Sequence, residues 1–505
     1  MTLLDSLAKN ARDRADHPFL VHEGRKLTFA EFDLATLATA HALQELGVEL
    51  GDRVTLALGN GIDWVVAAFA ALRAGAILNP GNPALGREEL GFILGHAAPR
   101  VVVSSPAWAS LFADGQSVLP TASRLASFEP FAGALDLRAA AEAGVSTTPL
   151  KVEIGPSDGS TLLYTSGTTG RPKGVLFTHG RTGGSGSFFI ETMQIGPDDV
   201  LLAAGPLFHG NSWSSVAVAL QAGCTAAFPR QFSASEFWPL ARSVGATRFF
   251  TLGTILAILL AQPESPDDRT HPIRIVLGLG SAPIRDRLME RFGFEHIVEC
   301  FGSTDAGVVT LEPLGAAHRP GSAGPAMPGI TIHIRDDEGH DLPTGEVGEI
   351  AIESPHRMEG YFRDPERTAE ALRDGLFLTG DLGRLDADGW LFFVDRKRDV
   401  IRRGGENVSS VFVEKVLRDH PGVADAAVVG IHHPILGQEI KAFVIPKGNL
   451  NLQELEEFAR SRLARFQVPR LWELRSDFPR TPTQRVEKYK LREESADAAG
   501  KPLLG

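Results

Sequence analysis

Short β-rich runs alternate with helical stretches through the first three hundred residues, and that alternation limits the fold more than any other feature of the chain. Between Leu27 and Val103 the runs are Arg53-Val-Thr-Leu-Ala-Leu58 and Arg100-Val-Val-Val103. The texture returns in Thr247-Arg-Phe-Phe-Thr251, Ile273-Arg-Ile-Val-Leu277 and His296-Ile-Val-Glu-Cys300, which lead into Gly-containing turns. Such a pattern predicts layered α/β architecture, with ligands bound where the strands end.

At 505 residues the chain has room for about three globular units, and its 43% hydrophobic content is ample for large cores. A net charge of −12 disfavours nonspecific attraction to nucleic acid or to an anionic membrane. Cys224 and Cys300 are too few for a disulfide framework and suit a reducing cytosol as buried, inert thiols. Charged residues interrupt Met1 to Lys26, so no secretory signal is expected and the chain reads as cytoplasmic. The most apolar stretch, Trp64 to Leu78, contains Arg73 and Gly75 and falls short of the about 20 residues that span a bilayer. It is read as a buried helix.

Beyond about residue 325 come Gly/Pro-punctuated β segments, Gly329 to Arg335 and Gly345 to Ile352, which fit a small barrel-like or meandering sheet. Charge concentrates in Asp395-Arg-Lys-Arg-Asp399, and a compact α+β unit of about a hundred residues follows. The expected boundaries are therefore 1–396 and 397–505. In the last unit Asn451 and Glu454 form a candidate capping box, and Leu455, Ala459, Leu463 and Phe466 recur at near-helical spacing as core. Strands are expected from Ala426 to Ile431 and from Lys441 to Ile445, with that helix on one face.

The densest chemistry is the run Tyr164-Thr-Ser-Gly-Thr-Thr-Gly-Arg-Pro-Lys-Gly174. Glycines let backbone N–H groups approach a polyphosphate, the hydroxyls add donors, and Lys173 adds charge. The spacing is not that of a Walker loop, since Gly167, Gly170 and Lys173 fall three apart and Pro172 breaks a helix through the glycines.

The whole string closely resembles the signature of the adenylate-forming superfamily, which includes acyl-CoA synthetases, the adenylation domains of peptide synthetases and beetle luciferases. Further strings follow in the expected order, so the resemblance covers essentially the entire chain. It implies a large AMP-binding N-terminal domain and a small mobile C-terminal domain. It also implies that Thr165, Ser166, Gly167, Thr168, Thr169, Gly170 and Lys173 hold the phosphates of ATP. Pro206-Leu-Phe-His209 resembles the segment shaping the carboxylate pocket, and Gly278-Leu-Gly280-Ser281-Ala282-Pro283 resembles the turn against adenine. Acyl-pocket residues would be His209, Trp213, Gly278, Phe301 and Gly302, with Trp213 either capping the pocket or packing in its wall.

Phe301-Gly302-Ser303-Thr304-Asp305 is similar to the string in which the threonine contacts the α-phosphate and an acidic residue helps hold magnesium. Here Phe301 replaces the usual tyrosine and Asp305 the usual glutamate; Thr168 is the second metal candidate. Asp381, in Thr379-Gly-Asp381, would accept both ribose hydroxyls. Arg396 would lie near the ribose or phosphate, and Arg398 occupies the family's pivot position. Gly404 and Gly405 resemble the pair beside the pantetheine tunnel, which favours coenzyme A as acceptor. The largest departure is in Pro479 to Lys490, where Gln484-Arg485 stands in place of the usual Gly-Lys. Arginine is not a neutral replacement for lysine, so either Arg485 or Lys488 orients the acid, or the first half-reaction is impaired.

The implied chemistry is an acid–CoA ligation in two steps using ATP, Mg2+ and coenzyme A, with a small-molecule carboxylic acid as substrate. Two alternatives stand beside it: an enzyme loading a free-standing carrier protein, and a nucleotide- or acyl-adenylate-binding protein with little catalysis. The oligomeric state, monomer or homodimer, is open, as is the identity of the acid.

Overall fold

The computed structural model describes residues 1–82, 85, 87–112, 118–143, 150–165, 172–184, 186–397, 399–403, 406–433, 436–480, 484 and 486–498. They divide into two compact units. The first comprises Met1–His318, Gly324–Thr331 and Glu353–Phe377, and the second Arg319–Ala323, Ile332–Ile352 and Leu378–Gly505.

Two large sheets build the first unit. One has the strand order His296–Val298, Ile275–Leu279, Arg248–Leu252, Val200–Ala203, Thr225–Ala227, Pro18–His22 and Arg25–Thr28. It is parallel except for the final hairpin. The second orders Gly360–Tyr361, Lys173–Thr178, Gly159–Thr165, Ile77–Pro80, Arg53–Ala57, Val101–Ser104, Arg124–Ser127 and Leu135–Asp136. Its first three strands alternate in direction, and from the third onward neighbours run parallel. Helices Phe237–Val244, Gly253–Leu260 and Arg285–Phe292 bury Phe237, Leu256, Leu259, Leu288 and Phe292 against Phe249, Val276 and Ile297 of the first sheet. Apolar strands covered by helices are what a parallel sheet requires.

Two sequence expectations are corrected in this unit. The Trp64–Leu78 stretch is not one helix: a helix spans Ile62–Arg73, and Ile77–Pro80 is a central strand. The break is Gly75, whose backbone is left-handed at φ +82° and where a side chain would strike Val152 and Leu50. The run His296–Cys300 is likewise two elements, because the parallel strand stops at Val298 and Cys300 opens an antiparallel hairpin with Gly307–Leu311.

Strands that belong to the second unit except at Thr331, Glu353, Leu376 and Phe377 share a further sheet: Leu376–Leu385 lies between Gly348–Glu353 and Leu391–Arg396, with Thr331–Arg335 beyond, as expected after residue 325. The last part centres on the antiparallel pair Val423–His433 and Gly437–Pro446, joined by Leu471–Leu474, Ile401–Arg403 and Glu406–Val408. Alternation along the pair sorts its side chains. Ala426, Val428, Ile440, Ala442 and Val444 pack with the helices Ser410–Arg418 and Leu452–Arg462. Ala427, Val429 and Phe443 face the opposite way, onto Phe478 and Leu491. Both faces are therefore covered, the second by the helix Lys488–Ala498. Asn451 caps its helix through Gln453 N–H, and Glu454 bonds the Asn451 side chain rather than completing the reciprocal box. Leu463 and Phe466 join the core from beyond the helix end. Among the described residues no helix is long and apolar enough to cross a membrane.

Candidate active site

The strands Gly159–Thr165 and Lys173–Thr178 pair so that Thr165 faces Lys173, which sets the two ends of the phosphate-loop string side by side. Ser166, Gly167, Thr168, Thr169 and Gly170 lie outside the described residues. Among the described residues, Thr165 Oγ1 is buried without a hydrogen-bond partner. Lys173 Nζ donates to Asp305 Oδ1 at 2.8 Å and to Tyr361 Oη at 2.6 Å, and Tyr361 Oη donates to the same Asp305 oxygen at 2.7 Å. A cleft of about 130 Å³ opens beside Lys173, lined also by Phe92, His96, Tyr361 and Arg367.

Thr304 and Asp305 sit on the turn of the hairpin Cys300–Ser303/Gly307–Leu311. That turn is tight because Gly302 crosses the partner strand without a side chain; a Cβ there would lie 2.9 Å from Val308 Cα. Phe301 anchors the hairpin by donating its N–H to Thr310 Oγ1 at 2.9 Å. So Asp305, distant from the phosphate loop in sequence, is brought to Lys173 by this hairpin turn, with Thr304 next to it in the chain.

The adenine-type string continues from the strand Ile275–Leu279. Gly280 is left-handed at φ +80°, and Gly253 packs so closely on its carbonyl that no side chain fits. Ser281 is fully buried and donates its hydroxyl to Glu299, while Gly280 N–H donates to Glu299 Oε2 at 3.2 Å. Ala282 begins a single 3-10 turn, and the Pro283 side chain is outside the described set. Gly278 lies against Ser281, whose Oγ would be 2.7 Å from an added Cβ. Burial pushes the Glu299 carboxyl up to about 7, with Glu312 adding to the shift and the Ser281 and Gly280 bonds opposing it. Glu312 is itself held by Arg285 and His318, each at 3.0 Å.

His209 caps the helix Gly210–Ala222, its Nδ1 accepting from Asn211 N–H at 3.3 Å. Burial lowers its pKa to about 4, so the imidazole is neutral. Trp213 on that helix is 6% exposed, with ring centroids 5.4 Å from Trp64 and 5.5 Å from Phe69, which makes it part of a packed aromatic wall. Cys224 and Cys300 are free and buried, and burial raises both thiol pKa values.

In the second unit Asp381 and Arg396 are cross-strand partners, with Arg396 Nε 3.4 Å from Asp381 Oδ1. Asp381 N–H donates to Thr379 Oγ1 at 3.1 Å, and Gly380 takes φ +69° to turn the strand there. Asp395 accepts from Ser410 N–H at 2.6 Å and from Ser410 Oγ at 2.9 Å. Lys488 donates to Ser410 Oγ and lies by Glu414 Oε1, both at 2.7 Å. Arg398, Gly404, Gly405 and Arg485 lie outside the described residues. Gln484 is described, in left-handed backbone at φ +64°, with its carbonyl accepting from Arg480 Nη1 at 3.0 Å.

Sequence reasoning missed Tyr361 and Glu299. The signal for Tyr361 was compositional: with 29 phenylalanines and 3 tyrosines, a phenol is retained sparingly. The signal for Glu299 was a carboxylate inside an apolar run. Among the described residues no group of three His, Cys, Asp or Glu side chains could hold a metal. The lone Asp305 suits magnesium, which takes one or two carboxylates and relies on substrate phosphates and water for the rest. The orphaned Thr165 hydroxyl and the Lys173 ammonium fit a phosphate chain.

Residues 7–362 match the AMP-binding enzyme family, and residues 413–485 match the AMP-binding enzyme C-terminal domain. The crotonobetaine/carnitine–CoA ligase of Salmonella paratyphi A is 33% identical over 516 residues, covering 97% of this chain and 98% of that enzyme. ATP-bound MatB from Rhodopseudomonas palustris superposes with a TM-score of 0.90 at 28% identity, covering 99% of this chain and 100% of that one. A benzoate CoA ligase from Burkholderia xenovorans LB400 gives 0.88 at 26% identity, over 97% and 100%. The chain belongs to the AMP-binding enzymes of the adenylate-forming superfamily.

Proposed function

We propose that the chain is an ATP-dependent, AMP-forming acid–CoA ligase, working through an acyl-adenylate. The observation that carries the reading is the 2.8 Å contact between Lys173 and Asp305, which joins a phosphate-binding cation to a magnesium-type carboxylate within one unit. In the first step a carboxylate oxygen attacks the α-phosphorus of ATP and pyrophosphate leaves. In the second, the thiol of coenzyme A attacks the acyl carbon, AMP leaves, and the thiol proton passes to solvent or base.

Positioning and charge neutralisation do most of the first step. Thr165, Lys173 and the loop between them hold the phosphates, Thr304 donates to the α-phosphate, and the Gly280–Pro283 turn lies against adenine. Asp381 receives the ribose hydroxyls, with Arg396 beside it. Asp305 and Thr168 would hold magnesium, which supplies compensation for the phosphate charge when bound. The neutral His209 shapes the acid pocket by volume and hydrogen bonding and offers no cation to a second anionic group. Arg485 orients the acid. Lys488 is left to a structural role, because its ammonium is engaged by Glu414 and Ser410.

For the second step, the part of the chain after residue 396 turns about Arg398, withdraws Arg485 and presents Gly404 and Gly405 to the pantetheine arm. This reading rests on the resemblance of those strings to the family's. Dependence on ATP and coenzyme A, together with two free thiols, fits action in the cytosol.

The test is a panel of short, medium, branched and aromatic acids, assayed for pyrophosphate release and for CoA consumption. Acid-dependent release with thioester formation is expected. Release without thioester would assign the acyl group to a different acceptor, and ATP binding without release would remove the ligase reading.

A further inference from the structure

Tyr361 has no part in the chemistry described so far, yet its hydroxyl closes a triangle with Lys173 and Asp305. The phenol O–H donates to Asp305, and the phenol oxygen accepts from Lys173. A phenylalanine could fill the same space and keep the ring 4.4 Å from the Lys173 ammonium, so packing does not account for the hydroxyl. A phenol is neutral at working pH and able to donate. Its backbone is fixed twice. Tyr361 pairs with Val175 on the strand that begins at Lys173, and its N–H donates to Thr368 Oγ1 at 2.9 Å. Tyr361 and Lys173 therefore share one rigid edge, whereas Asp305 arrives on a separate hairpin.

We propose that Tyr361 is a positioning residue for ATP: its hydroxyl fixes Asp305 against Lys173 before the nucleotide arrives. It then remains on Asp305 when Lys173 turns its N–H bonds to the phosphates. An ammonium has three donors, and two are occupied in the triangle. Engaging phosphate competes for them, and a carboxylate that loses its only cation contact among the described residues would no longer be held in place. The Tyr361 hydrogen bond keeps one Asp305 oxygen satisfied, and the other is the one that would be offered to magnesium. The inference rests on Lys173 and Asp305 being the phosphate and metal groups of the proposed ligase.

The test is a double-mutant cycle on ATP affinity, by calorimetric titration of wild type, Tyr361→Phe, Asp305→Asn and the double variant, with magnesium and again in excess chelator. Tyr361→Phe is expected to weaken magnesium–ATP about tenfold, the scale of one hydrogen bond to a charged group, and to change binding in chelator less than twofold. The double variant should bind no worse than Asp305→Asn alone. Additive losses, or equal weakening in chelator, would overturn the proposal. A wild type that binds no ATP would overturn the ligase reading as well, so the two failures are distinguishable. Should Tyr361→Phe fail to fold, 3-fluorotyrosine labelling gives three 19F signals, one for each tyrosine. The signal displaced in Asp305→Asn should move with magnesium–ATP and stay still with ATP in chelator; no movement with magnesium–ATP overturns the proposal.

Discussion

The Lys488 ammonium sits 2.7 Å from the Glu414 carboxylate, with the side chains 13% and 6% exposed. Breaking a buried pair by removing one partner leaves an uncompensated charge, at a cost of about 3 kcal/mol. Lys488→Ala should therefore lower stability to chemical denaturation by that order, with adenylate formation falling only as the folded fraction falls. Arg485→Ala should do the reverse. Loss of an aligned donor at a charge-developing centre slows adenylate formation on the order of a hundred- to a thousandfold, with thioester formation from supplied adenylate little changed. Half-reaction kinetics run beside urea unfolding separate the two; a Lys488→Ala variant that is stable but cannot form adenylate would reverse the assignment.

Gln484 occupies the left-handed region at φ +64°, where an L side chain costs about 1–2 kcal/mol. Glycine removes that strain but gives back part of the gain through its looser unfolded chain. Gln484→Gly is expected to raise stability by about 0.5 kcal/mol, and Gln484→Val to lower it, since β-branched residues tolerate this backbone worst. The order Gly, Gln, Val in urea midpoint is the check.

Glu299 has its pKa raised from 4.5 to about 7, chiefly by burial. The folded state thus binds a proton more tightly than the unfolded state. Its stabilising contribution is full below about pH 4.5 and is lost as pH rises through about 7, an effect of order 3 kcal/mol. Glu299→Gln should flatten the stability profile across that window and make the variant relatively more stable at pH 8. Unfolding measured at half-unit steps of pH would show it; an unchanged slope would mean that the carboxyl is not titrating there.

Trp213 packs edge-on to Trp64 and against Phe69. Trp213→Ala should cost about 3–5 kcal/mol through the cavity it leaves. A milder Trp213→Phe should lower the melting temperature while the ranking of acids by kcat/KM stays as in wild type. A reordered ranking would return Trp213 to the acid pocket.

What the sequence made legible were groups whose chemistry is carried by side-chain type. Lys173 and Asp305 were assigned to one phosphate and metal task from separate strings, and they meet at 2.8 Å. Asp381 is expected at the ribose and Arg396 near the ribose or phosphate, and the two are register partners on adjacent strands. What escaped depended on backbone path. An apolar run carries no internal mark distinguishing helix from strand, so Trp64 to Leu78 read as one helix although Gly75 divides it. Glu299 was absorbed into a single strand because the chain leaves one sheet and opens a hairpin around it. Tyr361 sits on a two-residue strand, too short for any period to register. At Gln484, where the resemblance expects glycine, the backbone takes the left-handed conformation that glycine favours.

The burial of Cys300 has a consequence for an enzyme that handles activated acids. A mixed anhydride of an acid with AMP acylates any thiolate it can reach, and Cys300 directly precedes Phe301 of the expected acid pocket. Sealed at 5% exposure and held in its protonated form by burial, that sulfur is a poor nucleophile. The catalyst is thereby guarded against labelling itself, and the acyl group is kept for a thiol that enters from outside.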